Sequence, residues 1–247
     1  MSQPSISVVL PAYNEEAVIG ATVSAVVDFL QTITSDYEVI VVNDGSRDQT
    51  RTVMESLSLE NPHIHCVTHE HNRGYGAALG TGFSAATREL VFLTDGDKQF
   101  DIRELTHFLP LIVDADLVIG FRDPRRDPPK RLFFGWGWNS LVNLLFGYTA
   151  RDVDCAFKLF RRSILERVVV RATGATFSAE FLIKARRLGY RIVEHRASHF
   201  PRPAGQPTGA RLDVIARAFR ELIWLRMHLA EELARQAPTN RLSRPEA

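Results

Sequence analysis

The chain has 247 residues and a formal net charge of +1, with 45% hydrophobic and 24% charged residues. That is the profile of an ordinary soluble globular protein, with room for one large α/β domain or two small ones. It excludes a disordered polyelectrolyte, and no run approaches the roughly 20 apolar residues that a bilayer-crossing helix needs. The two cysteines, Cys66 and Cys155, have no metal-ligand spacing and fit unpaired thiols in a reducing cytosol. The N-terminal Met1-Ser-Gln-Pro-Ser5 is not that of a secretory signal. The charge is divided unevenly. Residues 1–120 hold 6 Lys/Arg and 17 Asp/Glu, net −11, and residues 121–247 hold 24 and 12, net +12. The expectation is an acidic half that uses a cation and a basic half that meets anions, with no nucleic-acid motif in either.

The elements follow in order. Ile6–Leu10 reads as a buried strand ending in the turn Pro11-Ala-Tyr13-Asn-Glu15-Glu16. Apolar residues at Val18, Ala21, Ala25, Phe29 and Ile33 have helical spacing over 17–33. Tyr37–Val42 is a second strand, ending at Asn43-Asp44-Gly45-Ser46 before a helix to about Leu59. His63–Thr68 is a third strand, and Asn72-Arg-Gly74-Tyr75-Gly76 opens a helix to about Thr87. Leu90–Leu93 is a fourth strand, followed by Thr94-Asp95-Gly-Asp97-Lys-Gln99-Phe-Asp101. This alternation predicts a mostly parallel sheet, with ligands at the carboxyl ends of the strands.

Asp95 and Asp97 are spaced i, i+2, so on extended backbone their side chains share one side. Oxygen ligands at a strand end suit Mg²⁺ or Mn²⁺, which can neutralise a departing diphosphate. The plainer reading makes the segment a polar turn with Asp97 as a helix cap.

Beyond it, 101–113 is predicted helical, 115–120 is a strand, and 121–131 is a basic, Pro-rich flap. The uncharged segment 132–146 carries Phe133, Phe134, Trp136, Trp138 and Phe146 and fits a buried helix or an interfacial one. Residues 151–162 form a polar turn into a strand, 177–189 a helix with a Gly stop, and 190–200 a last strand. Residues 212–234 form a long helix with Phe219, Leu222, Ile223 and Leu229 among its apolar positions. One domain over 1–235 is expected, with an acidic half (1–120), a basic half (121–235) and a disordered tail (236–247). His63, His65, His69 and His71 invite a zinc reading, but scattered surface histidines are the commoner arrangement.

Four motifs, Val8–Glu16, Val41–Ser46, Asn72–Ala78 and Thr94–Asp101, together resemble those of family 2 glycosyltransferases with the GT-A fold. Gly120-Phe-Arg122, Asp152–Arg161 and Pro201–Gly205 are similar to the dolichol- and polyprenyl-phosphate sugar transferases. The resemblance implies a Rossmann-like sheet flanked by helices and an inverting, metal-dependent transfer from a GDP- or UDP-linked sugar to a lipid phosphate, with 1–120 as the nucleotide-sugar half and 121–235 as the acceptor half. It places Pro11, Tyr13, Glu15, Asp44, Gly45 and Asp95 at the donor, and Asp95, Asp97 and Gln99 at the metal. Arg122, Arg131 and Arg202 receive the acceptor phosphate, because a guanidinium fork matches phosphate oxygens. Were the acceptor a hydroxyl, Asp152 and Asp154 are the candidate bases. Asn43, Lys98, Phe100 and Ala156 depart from the commonest family pattern without removing a ligand. A lipid acceptor implies a cytoplasmic enzyme, peripheral on the inner face of the membrane, with the aromatic segment and the basic half as contacts. Competing readings are a soluble acceptor, nucleotidyl transfer, which lacks its Gly-rich phosphate loop after the first strand, and an inactive scaffold subunit.

Overall fold

The structure is a computed structural model that describes residues 3–203 and 212–236. Seven strands form one sheet: β1 (Ile6–Ala12), β2 (Tyr37–Asn43), β3 (Ile64–Thr68), β4 (Leu90–Leu93), β5 (Leu117–Arg122), β6 (Lys158–Arg161) and β7 (Ile192–Ala197). Their order is β3-β2-β1-β4-β6-β5-β7. β1 pairs in parallel with β2 and β4, placing Val8 opposite both Val39 and Phe92. β6 alone runs antiparallel, between β4 and β5. The carboxyl ends of the other six strands therefore share an edge with the amino end of β6.

Seven helices lie against the sheet: α1 (Ile19–Ile33), α2 (Thr50–Glu60), α3 (Tyr75–Ala85), α4 (Leu105–Phe108), α5 (Pro129–Phe146), α6 (Phe177–Arg187) and α7 (Leu212–Gln236). Strand alternation divides the core. Val8 and Leu10 join Ile19, Val23, Leu30 and Met54 beneath α1 and α2. Val9 faces the opposite side with Leu79, Phe83, Leu182, Leu222 and Leu225 beneath α3, α6 and α7. Each fully buried side chain of this kind contributes about 1.5–3 kcal/mol relative to exposure.

Three expectations need correction. The helix expected over 101–113 is broken into a 3-10 turn, the short α4 and a second 3-10 turn from Leu111. Pro110 lacks the N–H that a continuing helix requires. α5 starts at Pro129 rather than Leu132, because proline's fixed φ suits the first helical position. Lys130 and Arg131 are therefore helical rather than part of a flap. In α7, Leu222, Leu225 and Leu229 are buried, whereas Phe219, Ile223 and Met227 are exposed. The tail expected at 236–247 and residues 204–211 lie outside the described residues, apart from Gln236 at the end of α7.

Candidate active site

The loops after β1 and β2 are laced together. The Asn14 amide donates to Ser46 Oγ at 2.9 Å, Glu15 N to Thr50 Oγ1 at 2.8 Å, and Arg47 N to Asn14 Oδ1 at 2.8 Å. Gly45 adopts φ +68°, and a Cβ there would sit 2.4 Å from the His71 backbone, so only glycine fits. Asp44 is buried and its carboxylate shapes the next loop. Oδ1 accepts from the Arg73 amide at 2.9 Å and faces His69 Nδ1 at 2.7 Å, and Oδ2 accepts from the Gly74 amide at 2.9 Å. These bonds hold the chain that delivers Tyr75. Tyr75 reaches the centre of the edge and donates from its hydroxyl to Asp95 Oδ1 at 3.0 Å.

The β4 loop supplies the acidic centre. Burial raises the pKa of Asp95, and the neighbouring Asp97 raises it further. Burial likewise raises Asp97, and Arg202 works against that rise. Arg202 arrives from the segment after β7. Its Nη2 lies 2.6 Å from Glu15 Oε1 and 3.2 Å from Asp97 Oδ2. Glu15 is pushed up to about 7, chiefly by burial, and its Oε2 is buried without a hydrogen-bond partner. Gln99 is sewn to the same segment: its backbone carbonyl accepts from Phe200 N at 2.9 Å, and its Nε2 donates to Phe200 O at 3.0 Å. The amide oxygen is thus the Gln99 atom left for a cation.

Arg122, expected to receive a phosphate, is almost fully enclosed. Its Nε and Nη2 donate to Asp152 at 2.6 and 2.7 Å. Burial alone would raise Asp152, but the bond from Arg122 reverses this and holds its pKa below the usual carboxylate value. A carboxylate so stabilised is a poor base. Asp154 is different. It is solvent-exposed, and the buried Trp138 Nε1, which has no hydrogen-bond partner, lies close enough to act on it. Desolvation by the protein around its carboxyl pushes the Asp154 pKa up, and the charge of Arg122 works against that push. Arg131 is half-exposed and anchored on Asp127 Oδ1 at 3.1 Å, and its charge reaches Asp97. Pro11 is buried at the end of β1, and Tyr13 is half-buried beside it.

Besides Tyr75, three contributors were not among the sequence candidates. Asp127 is a buried hub for Arg125 (2.6 Å) as well as Arg131. Its i, i+4 relation to Arg131 was a legible signal. Lys158 is buried in β6 and donates to the carbonyls of Val153, at 3.2 Å, and Cys155, bracing the turn that carries Asp152 and Asp154. A lone lysine amid Phe157, Leu159 and Phe160 is the trace it leaves in the sequence. His199 is buried and accepts at Nδ1 from the Arg126 amide at 3.2 Å. Burial lowers its pKa to about 4, so it is neutral near pH 7.

Among the described residues no group of three or more His, Cys, Asp or Glu side chains could enclose a metal. Two of the four N-terminal histidines are otherwise engaged: His63 bonds to the Tyr37 carbonyl and stacks on its ring, and His69 bonds Asp44 and Thr81. A partial site is nevertheless present. Two mutually repelling carboxylates and an amide oxygen are hard donors that fit Mg²⁺ or Mn²⁺ completed by substrate phosphates. Two surface hollows, near Gln31 and Tyr37 and near Arg171 and Trp224, have no residue of this edge in their walls.

Residues 7–169 match the profile of Glycosyl transferase family 2. The chain belongs to that family. It is 30% identical over 206 residues to a dolichyl-phosphate beta-glucosyltransferase of Trichomonas vaginalis, covering 76% of this chain and 64% of the relative. It is 29% identical to an undecaprenyl-phosphate 4-deoxy-4-formamido-L-arabinose transferase of Aeromonas hydrophila, covering 81% and 61%. The chain thus spans less than two thirds of the length of these curated relatives. Its fold is similar to that of glucosyl-3-phosphoglycerate synthase from Mycobacterium tuberculosis, solved with Mn²⁺, UDP-glucose and phosphoglyceric acid. The TM-score is 0.67 at 23% identity, covering 94% of this chain and 80% of that one.

Proposed function

We propose that this chain transfers a sugar from a GDP- or UDP-linked donor to a polyprenyl-phosphate-type acceptor, with inversion at the anomeric carbon. The observation that carries this reading is the convergence of Asp95 and Asp97 with Arg202 and Arg131 on one sheet edge. The lipid-phosphate names of the relatives favour that acceptor. Pro11, Tyr13 and Glu15 line the base and ribose region, and Asp44 and Gly45 hold the loops that bound it. Asp95, Asp97 and the Gln99 amide oxygen would hold the cation. When bound, the divalent ion would neutralise the departing diphosphate.

Arg131 and Arg202 orient the acceptor phosphate, with Arg122 behind them fixing the Asp152 turn. A phosphate oxygen is already ionised near neutral pH, so it attacks the anomeric carbon without a general base as the bond to the diphosphate breaks. Positioning then supplies the rate. Neither the low basicity of Asp152 nor the exposure of Asp154 hinders such a reaction. A soluble anionic acceptor would meet the same arginines.

Calorimetry with UDP and GDP, with and without Mn²⁺, tests the donor half. Binding should require Mn²⁺ in the wild type and be lost in Asp97→Asn with circular dichroism unchanged. Radiolabel transfer to prenyl phosphate against phosphoglycerate tests the acceptor half. Preference for phosphoglycerate would overturn the lipid reading.

A further inference from the structure

Glu180 and Lys184, one turn apart on α6, form a buried ion pair. Glu180 is 3% exposed, Lys184 is fully enclosed, and Nζ lies 2.6 Å from Oε1. Charges at that depth need complete partners. Lys184 also donates to the Val169 carbonyl at 2.7 Å and lies 3.4 Å from Glu232 Oε2 on α7. Glu180 turns its two oxygens on the chain before α6. Oε1 accepts from the Arg171 amide at 3.0 Å, and Oε2 from the Ala172 amide at 2.8 Å.

The segment pinned in this way meets the start of α3. The N-cap residue of α3 is Gly74, which has no side chain to cap with. The first-turn amides of a helix lack partners within it. Here the Ala77 amide donates to the Thr173 carbonyl at 3.1 Å. A Cβ on Gly74 would stand 2.5 Å from that same oxygen, and one on Gly76 would stand 2.8 Å from the carbonyls of both Ala172 and Gly174. Backbone therefore lies directly on backbone, with carbonyl oxygens against the positive end of α3. Between the two glycines stands Tyr75, whose hydroxyl donates to Asp95 Oδ1.

We infer that Glu180 is a positioning residue for the acidic centre. It fixes 171–174, which seats the start of α3 and so aims the Tyr75 hydroxyl at Asp95. Asp44 holds the same loop from the other side, through the Arg73 and Gly74 amides. With no Cβ at 74 or 76, no flexible side chain absorbs a shift of 172–174 before it reaches Tyr75. A hydrogen bond weakens steeply with misalignment, so a small shift suffices. The inference rests on the reading of Asp95 as a cation ligand for its consequence, and the test separates the two.

The first measurement needs no metal. The chain has five tyrosines, and isotope labelling of the ring carbon that bears the hydroxyl makes each visible by NMR. The Tyr75 signal is assigned by its loss in Tyr75→Phe. Glu180→Gln keeps the size of the side chain but replaces one acceptor by an NH2 group facing a backbone N–H. In the metal-free protein it should move the Tyr75 signal. Leu30→Ala, which opens a cavity beneath α1 on the opposite face of the sheet, should lower the Tm yet leave that signal in place.

The second measurement is calorimetry with Mn²⁺ and UDP, or GDP where that is the nucleotide the wild type binds. Glu180→Gln should weaken Mn²⁺-dependent binding by up to about tenfold, the limit set by loss of the Tyr75 bond. Introduced into Tyr75→Phe, it should cost little more, because two changes that act through one bond do not add. Gly76→Ala presses a methyl group onto the carbonyls of 172 and 174 and should behave alike, which provides a second variant if Glu180→Gln does not fold.

An unmoved Tyr75 signal in a folded variant would overturn the inference. So would losses fully additive with Tyr75→Phe, or an equal loss of Mn²⁺ affinity in Leu30→Ala; each would leave Glu180 and Lys184 as a pair that serves stability alone. Wild-type nucleotide binding indifferent to Mn²⁺ would instead sink the cation reading, and the Tyr75 signal would then decide the positioning by itself.

Discussion

Arg122 and Asp152 form a two-pronged ion pair, Nε to Oδ2 at 2.6 Å and Nη2 to Oδ1 at 2.7 Å, with both side chains under a tenth exposed. The pair ties the end of β5 to the turn before β6. Because β6 runs antiparallel, that turn lies on the same edge as the β4 carboxylates. Removing one partner strands a buried charge, which costs about 3–5 kcal/mol. Arg122→Met and Asp152→Leu should therefore each lower the urea midpoint strongly. The double variant should be less destabilised than the sum of the two, since neither charge is left alone. Additive losses would mean that the pair does not act as a unit.

How much of this was legible beforehand depends on how local each feature is. Ile6–Leu10, Tyr37–Val42 and Leu90–Leu93 are apolar runs ended by polar turns, and each sits inside the observed strand. The direction of β6 depends on pairing with β4 and β5, which no local pattern encodes. Arg202 and Glu15 are 187 residues apart, and only the folded sheet edge brings them together. Arg122 could be placed near an anion from its motif. That the anion is Asp152, 30 residues on, required the fold.

Gly45 offers a test of the donor-side backbone. Its φ of +68° and the 2.4 Å approach of His71 leave no room for a methyl group. Gly45→Ala should cost about 2 kcal/mol or more from left-handed strain and overlap. Thermal unfolding would register this as a clear fall in Tm, and an unchanged Tm would refute the strain.

His199 predicts a particular acid sensitivity. Its folded pKa of about 4 lies below the ordinary 6.5, so between these values the unfolded chain binds the extra proton. Stability should be fully present above about pH 6.5 and fall as pH drops towards 4, by at most about 3 kcal/mol from this group. The surrounding charges of Arg122, Arg125 and Arg131 oppose protonation, and Asp127 favours it. His199→Gln should flatten the slope of stability against pH in this window. A slope equal to that of the wild type would assign the acid response to other groups.

Tyr75 tests the link between the Gly-rich loop and the acidic centre. Its hydroxyl donates to Asp95 Oδ1 at 3.0 Å. Tyr75→Phe removes that bond, worth about 1.5–3 kcal/mol to a charged acceptor. Mn²⁺-dependent nucleotide affinity should fall by roughly tenfold, and the Tm should fall by several degrees. Wild-type affinity would show that Asp95 keeps its position without the tyrosine.

Arg202 makes the most discriminating case, because its charge stands where a divalent cation would also be drawn. Its Nη2 bridges Glu15 Oε1 at 2.6 Å and Asp97 Oδ2 at 3.2 Å, and it opposes the upward push that burial exerts on both carboxylates. In the metal-free protein, Arg202→Ala leaves Glu15, Asp95 and Asp97 crowded with less cation to balance them. The variant should therefore melt lower than the wild type in the presence of a chelator. Mn²⁺ supplies the missing positive charge to the folded state alone, so it should raise the Tm of the variant more than that of the wild type. Transfer should still fail to recover, because Mn²⁺ replaces the charge of Arg202 but not its fork for the acceptor phosphate. Differential scanning fluorimetry across a Mn²⁺ titration, paired with the transfer assay, reads both effects. A smaller Mn²⁺ shift in the variant would mean that Arg202 helps the cation bind rather than substituting for it. Full recovery of transfer would remove Arg202 from the acceptor site and leave Arg131 as the phosphate's partner.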